Sequence, residues 1–165
     1  MPTLSLVLER TRTSDAPKGC RCLRLVGQGV TRLDVVEEHY RRVRKLFLSK
    51  NNLKELKHIS QFANAETISL ADNLISNLEE VMHLDSCTKL RNLNLSGNPL
   101  TTTPFYRYHC IRMLPQITSL DSYKITAQER ELMSSAIDRE ASILSLMLSN
   151  YCATLKLKEA CRRIR

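Results

Sequence analysis

Between residues 20 and 100 the apolar positions follow neither the three-and-four spacing of an amphipathic helix nor the strict alternation of a half-buried strand. In "LRNLNLSGNPL", residues 90–100, leucines fall at Leu90, Leu93 and Leu95, an asparagine at Asn98 and a further leucine at Leu100. The template recurs upstream. Leu23, Leu25, Gln28, Val30 and Leu33 form one copy, and Leu46, Leu48, Asn51, Leu53 and Leu56 a second. Ile68, Leu70, Asn73, Ile75 and Leu78 form a third. The first apolar position of each copy steps by 23 (23 to 46), 22 (46 to 68) and 25 (68 to 93). A near-constant period of this length marks stacked repeats, none of which can bury its own apolar face alone.

Each copy predicts the same local structure. The L-x-L part is a short strand with two apolar side chains pointing inward. A sharp turn follows, where the side chains of Asn51, Asn73 and Asn98 satisfy backbone groups that water cannot reach. Leu53, Leu56, Ile75 and Leu78 then fill the next layer. Gln28 stands where the other copies have Asn, and its amide should reach differently, as fits an end of the stack. At the N-terminus "TLSLVLE" alternates Leu4, Leu6 and Leu8 and reads as an edge strand pairing with the first repeat, followed by a polar loop, "RTRTSDAPKG".

This pattern, L-x-x-L-x-L-x-x-N-x-L-x-x-L, resembles that of intracellular leucine-rich repeat proteins. The resemblance implies an α/β fold: a right-handed solenoid of about 4–5 repeats with a curved parallel sheet on its concave side. The stretch from Asn98-Pro99 through Tyr106-Arg107, Leu114-Pro115, Ile117 and Leu120-Asp121 to Thr126–Arg130 resembles the C-terminal cap of one branch of that family. The branch includes the spliceosomal U2 particle's leucine-rich repeat protein, a nuclear phosphatase-1 regulator, an axonemal dynein light chain and centriolin-like proteins. "TSLD" would be the final strand, and Thr126-x-x-Glu129 is a capping box that starts a helix. The expected organisation is a capped repeat domain over residues 1–131, with repeats at about 20–42, 43–64, 65–89 and 90–113 and the cap at 114–131. A C-terminal helix follows over 132–165.

That helix carries more apolar surface than a cap needs. "ILSLML", 143–148, is apolar almost all round, and a cap helix needs one apolar face. Leu144, Leu148, Tyr151 and Leu155 are the expected interface, for a homodimer or for partner docking.

Charge and cysteine content refine this picture. The formal net charge of +8 favours acidic partners without specifying one. The densest basic run, "EEHYRRVRK" at 37–45, contains Tyr40 as its only aromatic. It reads better as a solvated convex face than as a nucleic-acid site, so nucleic acid is expected at most indirectly. The six cysteines are irregularly spaced, with Cys20-x-Cys22 the one close pair. No metal-ligand pattern emerges, and free thiols packed as small apolar residues in a reducing compartment are expected. "MPTLSLVLER" lacks a basic leader, and no apolar run approaches a membrane span. The expected location is the cytoplasm and cytoskeleton, at a centrosome or cilium, ahead of the nucleus.

Catalysis finds no support. His39, His58, His83 and His109 lack nucleophile or acid partners at recognisable spacing, and four glycines leave no phosphate loop. No cofactor is implied. The candidate site is a protein-binding surface. By alternation, the outward-facing strand residues are Cys22, Arg24 and Val26 in the first repeat, Lys45, Phe47 and Ser49 in the second, Thr67, Ser69 and Ala71 in the third, and Asn92, Asn94 and Ser96 in the fourth. Of these, Arg24, Lys45, Phe47, Ser49, Thr67, Ser69, Asn92 and Asn94 are the candidate partner-binding residues. Phe47 is expected to be an exposed aromatic anchor. The function expected is that of a non-enzymatic scaffold or adaptor in a cytoskeletal assembly (centrosome, basal body or cilium). The alternative is a nuclear ribonucleoprotein subunit holding an RNA-binding domain.

Overall fold

The computed structural model describes residues 2–11 and 21–131, and the chain divides into two compact units, Met1–Ile125 and Thr126–Arg165. The first unit is the solenoid. Four short strands, β1 (Cys22–Arg24), β2 (Lys45–Phe47), β3 (Thr67–Ser69) and β4 (Asn92–Asn94), lie side by side in sequence order. A fifth, β5 (Ser119–Leu120), continues the parallel sheet, and β6 (Tyr123–Lys124) turns back antiparallel at its end. Leu23, Leu46, Ile68, Leu93 and Leu120 stand in one register row, all buried. Leu25, Leu48, Leu70 and Leu95 form a second buried row. The strands stop after three residues because the chain then enters a left-handed turn. Gly27, Lys50, Asp72 and Gly97, each four residues past the first leucine position, have φ of 67°, 58°, 54° and 73°. Glycine meets this demand without strain, whereas lysine and aspartate adopt it against their steric preference.

The return path is mostly 3₁₀ backbone: Glu38–Arg42, Ile59–Phe62, Leu78–Leu84 and Pro99–Thr102. Only the fourth repeat adds a full helix, α2 (Tyr106–Met113). Leu53, Leu56 and Ile75 are buried. Leu78 enters its layer only partly. Val81 and Leu84, three and six residues on in a turn of period three, take the buried positions.

The N-terminal segment corrects the expected edge strand. Leu4–Thr11 is a helix, α1. Leu4, Val7 and Leu8 share the i, i+3, i+4 face of a helix and are buried, while Leu6, the middle member of the apparent alternation, is exposed. Strand pairing survives only as a parallel bridge between Thr3 and Arg32. The helix contributes no acidic residue to its own first turn. Asp34, from the first repeat, supplies one. Its Oδ1 accepts from the Ser5 backbone N–H at 2.8 Å and its Oδ2 from the Ser5 hydroxyl. A carboxylate at this end complements the helix dipole.

In the second unit the described residues run from Thr126 to Glu131. The capping box is reciprocal there: Thr126 N–H donates to Glu129 Oε2 at 2.8 Å, and Glu129 N–H to Thr126 Oγ1 at 3.2 Å. The long helix over 132–165, with Leu144, Leu148, Tyr151 and Leu155, lies outside the described residues.

Two predictions follow from these contacts. Leu93→Ala opens a gap inside the first buried row, between Ile68 and Leu120, and should cost about 2–5 kcal/mol in urea denaturation. The second concerns acid. Burial tends to raise the Asp34 carboxyl's pKa, but the hydrogen bonds from Ser5 and Thr3 outweigh it, and the folded-state value lies below the ordinary aspartate value. A depressed carboxylate stabilises the fold above the unfolded pKa, and the gain disappears as pH falls through the folded value. The stability gap between wild type and Asp34→Asn, measured by thermal melts, should therefore be full near neutrality. It should shrink below about pH 4, the ordinary aspartate range.

Candidate protein-interaction face and the ladder beneath it

The outward sheet face depends on how the turns below it are held. Each asparagine side chain spans two repeats. The Asn51 amide nitrogen donates to the carbonyls of Leu25 and Leu48 at 2.8 and 2.7 Å, and its oxygen accepts from Val30 N–H at 2.9 Å. Asn73 repeats this with Leu48, Leu70 and the Leu53 N–H. Asn98 does so with Leu70, Leu95 and the Ile75 N–H. All three are at most 5% exposed, so no water can substitute. Gln28 stays outside this ladder. It is exposed, and its amide meets only the Val26 carbonyl, at 3.4 Å. The first turn is closed instead by main chain, with Thr31 N–H donating to the Pro2 carbonyl at 3.0 Å.

At the far end β5 stops at Leu120, and beyond it a side chain takes the place of the next repeat's main chain. Leu25, Leu48 and Leu70 each donate N–H to a main-chain carbonyl of the next repeat. Leu95 N–H instead donates to Asp121 Oδ1 at 2.7 Å. The buried Tyr106 hydroxyl donates to the other carboxylate oxygen at 3.0 Å. Burial, together with the neighbouring Cys110 and Asp121, pushes the phenol's pKa far up, so it stays protonated and able to donate. Arg107 completes the closure by donating to the Leu120 and Lys124 carbonyls. Tyr106, Arg107 and Asp121 stand out in the sequence as cap residues, but nothing in their spacing shows that the Asp121 carboxylate would link Tyr106 to the Leu95 main chain.

Above this frame the outward residues align in rows. Cys22, Lys45, Thr67, Asn92 and Ser119 form one, and Arg24, Phe47, Ser69 and Asn94 another. The sheet thus brings Arg24, Lys45, Phe47, Thr67, Ser69, Asn92 and Asn94 onto one surface. Ser49 joins them through a 2.7 Å hydroxyl contact with Ser69. Phe47 is half-buried, which corrects the expectation of an open aromatic. The Arg24 guanidinium carbon lies 4.5 Å from its ring centroid, because the register places the two directly opposite. The stacked pair presents a cation resting on an apolar plate, a geometry suited to aromatic or carboxylate groups of a partner. The C-terminal half of the face is small and neutral, with Asn92 donating to Thr67 Oγ1 at 3.3 Å.

The cysteines divide. Cys87 and Cys110 are buried, and burial pushes their thiols up to about 11 and about 12, so both stay protonated near neutral pH. Cys22 faces outward and is exposed, on the side where strand alternation places it with Arg24, and is therefore not one of the packed thiols. Among the described residues no cluster of His, Cys, Asp or Glu could hold a metal ion.

A parallel sheet of three-residue strands, bound through asparagines and open on one face, defines a repeat-built protein-interaction module. Residues 22–142 match the family described as Leucine-rich repeat, and the chain belongs to that family. It is 31% identical over 90 residues to U2 small nuclear ribonucleoprotein A′ of Saccharomyces cerevisiae, covering 54% of this chain and 38% of that protein. It is 30% identical over 118 residues to the mouse Centrosomal protein of 72 kDa, covering 71% of this chain and 18% of that protein. The chain therefore spans well under half the length of either relative. The crystal structure of the Drosophila melanogaster SNF/U2A′ complex shares the fold, with a TM-score of 0.64 and 24% identity, covering 82% of this chain and 73% of that one.

Truncating a ladder residue tests the frame. Asn73→Ala leaves the Leu48 and Leu70 carbonyls and the Leu53 N–H without this partner, and should destabilise by about 1–3 kcal/mol in chemical denaturation. Gln28→Ala should sit within about 0.5 kcal/mol of wild type, as an exposed position.

Proposed function

We propose that this protein is a non-enzymatic scaffold or adaptor in a cytoskeletal assembly at a centrosome, basal body or cilium. It engages a protein partner through the outward sheet face centred on Arg24, Lys45 and Phe47. The observation that carries the reading is the Arg24–Phe47 stack, a preformed anchor of the kind that dominates interface energetics, beside a row of small polar residues that leaves room for a partner. The cellular setting is supported by the longer alignment with the mouse centrosomal relative, 118 residues against 90 for the yeast ribonucleoprotein.

A second reading has its own support. The yeast relative and the fly structure both name a U2 ribonucleoprotein component, the latter in a complex. On that reading the same face would hold an RNA-binding protein in the nucleus. Localisation of the tagged full chain separates the two. Signal at the centrosome or cilium base, lost in Lys45→Ala with Phe47→Ala while circular dichroism stays native, is the expected result. A nuclear signal overturns the cytoskeletal assignment. Once the partner is in hand, the same double substitution should weaken binding by at least about 2 kcal/mol.

A further inference from the structure

The run "EEHYRRVRK" does not form one convex patch. Arg41 lines a depression with Val35, His58 and Gln61. Arg42 and Arg44 open into a different one, of about 560 Å³, at the point where the chain enters the strands. That hollow is lined by Arg21, Arg42, Arg44, Asn64, Glu66 and Lys89. Among the described residues four cations face one carboxylate. Glu66 is paired with Arg44 at 3.3 Å, and both side chains remain about half exposed.

The cations stand on a fixed frame. The Arg21 carbonyl accepts N–H from both Arg44 and Lys45, at 2.7 and 2.9 Å, and the Arg44 carbonyl accepts from Glu66 and Thr67 at 2.7 and 3.1 Å. Arg21, Arg44 and Glu66 are therefore held at adjacent strand entries, which in a sheet lie about 4.8 Å apart. Lys89 is anchored by Asn64 Oδ1 at 2.7 Å, and the Asn64 amide donates to the Arg41 carbonyl at 3.2 Å. Among the described residues no aromatic lines the hollow, so they supply no aromatic platform for bases. Nor has it the apolar walls of a small-molecule pocket.

We propose that this strand-entry hollow is a second docking site, for an acidic peptide segment of a protein partner. The segment's carboxylates, or phosphate esters, pair with Arg21, Arg42, Arg44 and Lys89. Arginine and lysine arms rooted at adjacent strand entries are long enough to reach the roughly 7 Å spacing at which an extended chain presents alternate side chains, and a guanidinium group can grip a carboxylate or phosphate through two parallel hydrogen bonds. The site is on the rim of the sheet and does not require the Phe47 face to be occupied, so it stands whether or not the cytoskeletal reading holds.

The test uses the full chain and fluorescence anisotropy with three labelled probes: an octaglutamate peptide, a serine-rich peptide carrying two phosphoserines, and single-stranded oligouridylate. Arg42→Glu with Lys89→Glu removes two cations while leaving the Arg44–Glu66 pair in place. Lys54→Glu with Lys57→Glu makes the same change in net charge elsewhere on the exposed surface. The expected result is peptide binding that weakens with salt and falls roughly tenfold or more in the first variant and little in the second, as for loss of specific ion pairs. Preference between the two peptides tells carboxylate from phosphate recognition. Equal weakening in both variants, no peptide binding, or tighter oligouridylate binding that depends on Arg42 and Lys89 would overturn the proposal.

Discussion

The structure depends on one recurring problem, how to turn a chain out of a buried strand every 22 to 25 residues without stranding its peptide groups. At each turn two carbonyls and one N–H, drawn from neighbouring repeats, converge on a space closed to water. A carboxamide can serve all three, because it donates twice and accepts on the same flat group. Asn51, Asn73 and Asn98 do this in near-identical geometry. The leucine rows can be continuous only because these bonds keep adjacent turns at one height. The asparagines are thus as much part of the core as the leucines they support.

The repeat interior was legible in the sequence because it obeys one rule several times over. The register of Leu23, Leu46, Ile68 and Leu93 read from spacing is the register of the sheet. Legibility fails where the rule ends. Leu4, Leu6 and Leu8 alternate like a strand, yet Leu4, Val7 and Leu8 fit a helix equally well. What separates the two is tertiary: the helical face is the one that packs, and Asp34, a residue distant in sequence, accepts from Ser5 in the first turn. The cap residues Tyr106 and Asp121 could be picked out by pattern, but their bond brings together segments 15 residues apart, which no local periodicity encodes. The outward face was legible as a set of residues and not as a surface. Alternation places Arg24 and Phe47 on one side, whereas their stacking follows from a one-to-one register between strands. The division of Arg41 from Arg42 was hidden for the opposite reason. Adjacent residues in a 3₁₀ turn point about 120° apart and so serve different hollows.

The same economy that builds the frame leaves the outer face free. Inward positions are constrained by packing and turn positions by hydrogen bonding, while each strand contributes one or two outward residues that answer to neither. In the first two repeats these positions carry Arg24, Lys45 and Phe47, and in the next two Thr67, Ser69, Asn92 and Asn94. Chemistry therefore changes from cationic and aromatic to small and neutral across the sheet, and a partner lying across it meets a polarity gradient with a defined direction. Three of the rim cations at the strand entries, Arg21, Arg42 and Arg44, lie at the same N-terminal side.

The closure at Asp121 has a consequence for how such a molecule can change length. Within the stack, the acceptors and donors that each asparagine offers are the same from one turn to the next. A duplicated segment from the middle would find matching partners above and below. At the end this interchangeability stops, because Leu95 is met by a carboxylate and not by another carbonyl, and β6 runs backwards over the last edge. Growth by internal duplication is chemically continuous, whereas growth by addition past Leu120 would first have to dismantle a tyrosine–aspartate bond and a hairpin. The molecule is modular in its middle and terminated by design at its edge, so variation in repeat number among its kin should fall between the first turn and the fourth.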